Sequence, residues 1–92
     1  MGTVAEGEFQ IINALGLHAR AAAQLVKLAN RFSSALLLEC DGQQVNGKSI
    51  MGVLMLAAAR GAMVKVRCEG EDAEVCLTEV KALIENRFGE SQ

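Results

Sequence analysis

A chain of 92 residues, 51% of it apolar, has room for one hydrophobic core; it reads as a single domain over 1–92, with an ordered part at about 8–88. A formal net charge of -2, with three Phe and no Trp or Tyr, excludes a general nucleic-acid binder, which would carry a basic stripe and rings for base stacking. No apolar run approaches the roughly 20 residues that cross a bilayer, and MGTVAEGEF lacks a signal peptide's basic-then-apolar pattern, so a cytoplasmic protein without membrane insertion is expected.

Met1-Gly2 does not open a myristoylation pattern, because Glu6 stands where Ser or Thr belongs. Cys40, Cys68 and Cys76 are odd in number and have no CxxC spacing. They read as reduced, buried small hydrophobes, and neither a metal nor a cofactor is expected.

With no proline in the chain, glycine carries the punctuation. Glu8 to Asn13 alternates, Phe9 and Ile11 opposed to Gln10 and Ile12, and predicts a first strand closed by Gly16. From about His18 to Phe32, Ala22, Leu25, Ala29 and Phe32 recur at steps of three and four. Ala21 and Leu28 widen that stripe, which predicts an amphipathic helix.

Ala35 to Cys40 is a short apolar run, Asp41-Gly42 a strong hairpin signal, and Gln43 to Asn46 the returning strand. Gly47-Lys48 breaks it, and Ser49 is placed to cap a helix from about Ile50 to Ala59, stopped by Gly61 in a left-handed conformation. Met63 to Cys68 alternates, with Val64, Val66 and Cys68 on one face and Lys65 and Arg67 on the other. After the turn Glu69-Gly70-Glu71-Asp72, the residues Ala73, Cys76, Leu77, Val80, Leu83, Ile84 and Phe88 form the stripe of a last helix, whose acidic start suits the helix dipole. The order strand-helix-strand-strand-helix-strand-helix predicts an α+β open-faced sandwich: a four-stranded antiparallel sheet covered on one face by three helices.

Chemistry concentrates at Gly16-Leu17-His18-Ala19-Arg20, between a strand and a helix start. The unpaired N–H groups of a first helical turn, with the positive end of its dipole, make an anion site. They also disfavour the imidazolium, which keeps a histidine there neutral and nucleophilic. Arg20 adds a permanent cation able to fork onto phosphate oxygens. Phosphoryl transfer needs such positioning and charge neutralisation more than acid–base chemistry. On position alone, however, a surface histidine beside a solvated arginine is the commoner reading.

A competing motif runs from Gly42 to Ser49, where Gly, four residues and Gly-Lys-Ser satisfy the phosphate-loop pattern of nucleotide hydrolases. That reading is rejected on size, on the missing acidic magnesium ligand on a later strand, and on the better use of Asp41-Gly42 as a hairpin turn. The helix after Ser49 is apolar nearly all round. Ile50, Val53, Leu54 and Ala57 are expected to face the core, leaving Met51, Met55 and Ala58 as surplus apolar surface for docking unless a neighbouring element covers it.

Three runs resemble the HPr family, the histidine-containing phosphocarriers of bacterial phosphotransferase systems. GLHARAAAQLVKLANRF resembles its active-site segment, NGKSIMGVLMLAAARG its regulatory-serine segment, and MVKVRCEGEDAEVCLTEVKALI its last strand and helix; together they cover about residues 8 to 88. The resemblance implies that His18 takes a phosphoryl group on Nδ1, that Arg20 steadies it, and that a serine kinase acts on Ser49. It implies an enzyme I-type donor fed by phosphoenolpyruvate and an enzyme IIA-type acceptor in sugar uptake or a related branch. Ala19, Arg20, Ile50, Met51 and Leu54 would form the docking surface, with Gln24 and Lys27 at its rim. The family's proline after the arginine is Ala21 here. A monomeric relay component, rather than an independent enzyme, is therefore expected. The alternative is a regulatory binding module that signals through phospho-Ser49 without histidine phosphotransfer.

Overall fold

The computed structural model describes residues 2–92; Met1, the first residue of the expected domain, lies outside them. Its elements are β1 (Thr3–Gln10), α1 (Ala19–Ala29), β2 (Ala35–Cys40), β3 (Gln43–Asn46), α2 (Ile50–Leu56), β4 (Met63–Gly70), α3 (Ala73–Glu85) and a final 3-10 turn, Arg87–Gly89. The strands form one sheet in the order β1-β4-β2-β3, every neighbouring pair antiparallel. This is the expected open-faced sandwich.

Alternation makes the sheet one-sided. Leu36, Leu38 and Cys40 of β2 and Val64, Val66 and Cys68 of β4 are buried against Leu25, Val26, Val53, Val80 and Ile84 of the helices. The other face carries charge: Arg67 pairs with Glu69 at 2.6 Å and, across the sheet, with Glu6 at 3.2 Å. Such exposed pairs are screened by water and add little, so the buried face dominates stability.

The β2–β3 hairpin forms as read: Asp41 and Gly42 take φ of 52° and 81°, and Cys40 pairs with Gln43. Several boundaries differ from those expected. β1 begins at Thr3 and ends at Gln10, because its inward positions include Ala5 and Gly7, too small to register as hydropathy; the Phe9 ring lies over Gly7 and does their covering. α1 stops at Ala29, where the Asn30 side chain donates to the Val26 carbonyl and leaves Phe32 beyond the helix.

α2 stops at Leu56, not Ala59. Ala57, not Gly61, takes the left-handed turn (φ 52°), so that the Ala58 carbonyl can accept from the Leu17 N–H at 2.9 Å. The inward face of α2 is consequently Val53 and Leu56. Ile50 is 45% exposed, Leu54 half-buried and Ala57 exposed, while Ala58, expected outside, is buried. Gly61 (φ 91°) instead serves the turn into β4, donating its N–H to the Ile11 carbonyl. Phe88 is buried as expected but lies outside α3, in the turn that follows it.

Asp72, the residue before α3, spends its carboxylate across the fold and not on its own helix. It accepts from the N–H groups of Ser33 and Ser34 and from the Ser34 hydroxyl. The Ser34 hydroxyl bond, then the Ser33 amide, pull its pKa from 3.8 to about 2. A depressed carboxylate stabilises the fold above its unfolded pKa and loses that contribution as the folded one is crossed. Asp72→Ala should therefore lower the thermal midpoint most at neutral pH, with the gap to the parent closing as pH falls from 3.8 to about 2. A gap independent of pH would contradict this.

Candidate functional site

The turn that delivers His18 is held from two sides. Gly16 sits at φ 64°, its α-carbon so close to the end of α2 that a Cβ would lie 2.6 Å from the Ala58 carbonyl oxygen. The next residue, Leu17, is buried and bonded to that same oxygen. Gly16→Ala should thus cost about 2 kcal/mol or more in chemical denaturation, from the left-handed backbone alone plus the clash. An effect below about 0.5 kcal/mol would sink this account.

His18 is the residue before the first turn of α1, extended at φ -73° and ψ 177°, and its side chain does not cap the helix. No side chain of the cap therefore takes the N–H groups of Ala19, Arg20 and Ala21, the donors at which the sequence places an anion. Ala21 is fully buried and keeps a backbone N–H that proline there would lack.

The imidazole is partly exposed and its Nε2 lies 2.5 Å from Oε2 of Glu90. The other oxygen of Glu90 accepts from Nδ2 of Asn13 at 3.1 Å, and the same Asn13 nitrogen donates to the Gly16 carbonyl at 2.9 Å. The bond to His18 first, and that to Asn13 second, hold the Glu90 carboxyl below its ordinary pKa. His18, Arg20, Ala14, Leu15 and Glu90–Gln92 line one shallow depression. The closing segment is tied there a second time, the Gln92 carbonyl accepting from the Ala14 N–H at 3.0 Å.

The structure therefore brings His18 and Arg20 together. It also adds Asn13, Glu90 and the exposed Leu15, none of which the sequence reading singled out. Glu90 is 72 residues from His18, and no local spacing could have announced it. Ser49 stands apart from this depression, at the start of α2, where its Oγ accepts from the Gly52 N–H at 3.1 Å. Of the docking candidates, Ala19, Lys27, Ile50 and Met51 are exposed, and Gln24 and Leu54 are half-buried. Met51 and Met55 show about two-thirds of their surface, at 66% and 64%.

Between Gly42 and Ser49 there is no open phosphate loop. Gln43–Asn46 is a sheet strand, the Gly47 N–H is bonded to the Leu36 carbonyl, and Ser49 is occupied as a cap. The three cysteines are buried free thiols, and burial first of all pushes Cys68 up to about 12 and raises Cys40 and Cys76. Among the described residues no helix is long and apolar enough to cross a membrane.

The family described as PTS HPr component phosphorylation site matches residues 5–86. The chain belongs to the HPr family. It is 47% identical over 85 residues to the phosphocarrier protein HPr of Xylella fastidiosa, covering 92% of this chain and 96% of that one. It is 50% identical over 82 residues to the HPr of Cupriavidus necator, covering 89% and 92%. Among solved structures, HPr-C-His from Thermoanaerobacter tengcongensis superposes with a TM-score of 0.93 at 43% identity, covering 96% of this chain and 99% of that one. Its role is accordingly that of an HPr phosphocarrier in a phosphotransferase system.

Proposed function

We propose that His18 is the residue that carries the phosphoryl group, on Nδ1, and that Arg20 and the first-turn N–H groups of α1 bind its oxygens. One observation carries this reading: Nε2 of His18 is engaged by Glu90, so Nδ1 is the ring nitrogen left for chemistry, at a helix start whose donors no cap residue consumes. In the transfer, the Nδ1 lone pair forms the bond to phosphorus as the bond from phosphorus to the donor's leaving atom breaks. The electron pair of that bond leaves with the donor, and no proton need leave Nδ1. The reverse step delivers the group to an acceptor.

Family membership points to phosphotransferase-system partners, an enzyme I-type donor and an enzyme IIA-type acceptor. The exposed apolar surface of Ile50 and Met51 beside the His18 helix supports docking there, with Ala19 and Leu54 contributing and Gln24 and Lys27 at the rim. A single unit working as a cytoplasmic monomer fits this reading, and gel filtration tests the oligomeric part. The test of the site is incubation with phosphoenolpyruvate and an enzyme I-type phosphotransferase. Acid-labile, alkali-stable phosphate assigned to Nδ1 of His18 by NMR is expected; no label from a competent donor would remove the reading.

Ser49 is the proposed regulatory site. Its hydroxyl already caps α2, and a phosphate there adds about -1.5 to -2 charges at a helix start, which the backbone tolerates while acidic partners are repelled. Acid-stable label from ATP and a serine kinase, lost in Ser49→Ala, is the expected result. Ser49→Ala alone should cost about 1 kcal/mol in urea denaturation through the lost cap, and an unchanged midpoint would remove the capping argument.

A further inference from the structure

The segment after α3 follows a costly path. Arg87 and Phe88 are both left-handed, at φ 55° and 54°, and Gly89 follows at φ 79°. Each non-glycine residue in that region costs about 1–2 kcal/mol. The path persists because it seats the Phe88 ring in the core, 1% exposed, and the burial of a Phe side chain offsets strain of that order. Its result is that Glu90 returns over the start of α1, where both of its carboxylate oxygens are engaged, one by His18 and one by buried Asn13.

An ionised carboxylate is acceptor-only, so the ring must donate, and the imidazole proton belongs on Nε2. Without that partner, the proton of a neutral imidazole distributes between both nitrogens. Molecules protonated on Nδ1 have no lone pair for phosphorus. After transfer, Nε2–H remains the donor, and the carboxylate stabilises positive charge developing on the phosphorylated ring.

From the Asn13–Glu90–His18 chain of hydrogen bonds we infer that Glu90 is a positioning residue: it fixes the His18 tautomer and ring orientation so that Nδ1 is the nucleophile, with Asn13 aiming the carboxylate. This rests on His18 being the phosphoryl acceptor, but its first readout does not.

The test uses the full chain labelled with 15N, in the parent, Glu90→Ala, Glu90→Gln and Asn13→Ala forms. The imidazole 15N shifts are followed across a pH titration, and the rate of phosphorylation by the donor system is measured alongside. The parent should be predominantly Nε2-protonated in its neutral form. Glu90→Ala should shift population toward Nδ1–H and slow phosphorylation by about 10-fold, the scale on which outer hydrogen-bond partners tune a reactive histidine. Glu90→Gln, whose amide oxygen can still accept, should restore the tautomer in good part. Asn13→Ala should give a smaller effect in the same direction, provided its thermal midpoint shows it folded.

The inference is overturned if Glu90→Ala leaves the tautomer populations unchanged, or alters them without slowing phosphorylation. A parent protein that accepts no phosphoryl group, with its tautomer still set by Glu90, would instead remove the carrier assignment of His18.

Discussion

His18→Ala should give a folded protein that takes no acid-labile phosphate at all from phosphoenolpyruvate and a competent donor system. The loss is complete because the chain has one histidine, so no second imidazole can substitute. Stability should change little. The His18 side chain does not cap α1, and it packs at the surface with 26% of its area exposed, so removing it forfeits neither a helix cap nor core volume. Glu90, 13% exposed, loses one partner but keeps Asn13 and gains access to water. A thermal midpoint close to the parent's, with label abolished, separates a lost nucleophile from a lost fold. Residual acid-labile label in the variant would show that another residue carries the group.

Phe88→Ala should be among the most destabilising single changes available in this chain. A Phe-to-Ala truncation in a close-packed core costs about 3–5 kcal/mol through lost transfer free energy and the cavity left behind. In a domain of this size each kcal/mol moves the midpoint by about 4–8 °C, so a fall of more than about 10 °C is expected in a thermal melt. Here the ring also holds Arg87 and itself in left-handed backbone conformations, and without it that path has little to recommend it. Glu90 should then leave His18, and phosphorylation of the surviving folded fraction should slow as it does in Glu90→Ala. Phe88→Leu, which keeps most of the apolar volume, should lose less than about 2 kcal/mol and retain the pairing. A midpoint for Phe88→Ala within about 2 °C of the parent would refute the anchoring role.

These two changes act on one site from opposite ends of the chain, and they mark what was legible in the sequence. Strand periodicity in Leu36, Leu38, Val64 and Val66, the Asp41-Gly42 turn and the Ser49 cap are local signals, and each appears in the structure where the residues put it. Helix ends were less legible. Ala57 adopts a left-handed conformation that an alanine does not choose for itself, driven by a hydrogen bond between Ala58 and Leu17 that no window of sequence contains. The same limit applies to the inward face of α2, since shortening the helix moves which of its residues meet the core.

Residue pattern alone lays three helices over an antiparallel sheet, and stands His18 and Arg20 together at a helix start. Both follow from interactions between residues a few positions apart: periodicity, capping and the free N–H groups of a first turn. Which nitrogen of His18 is free, and what holds the other, depends on contacts made across the fold. That pairing joins residues 72 apart through a strained turn anchored by Phe88, and long-range pairs of this kind exist only once the core that aims them has formed.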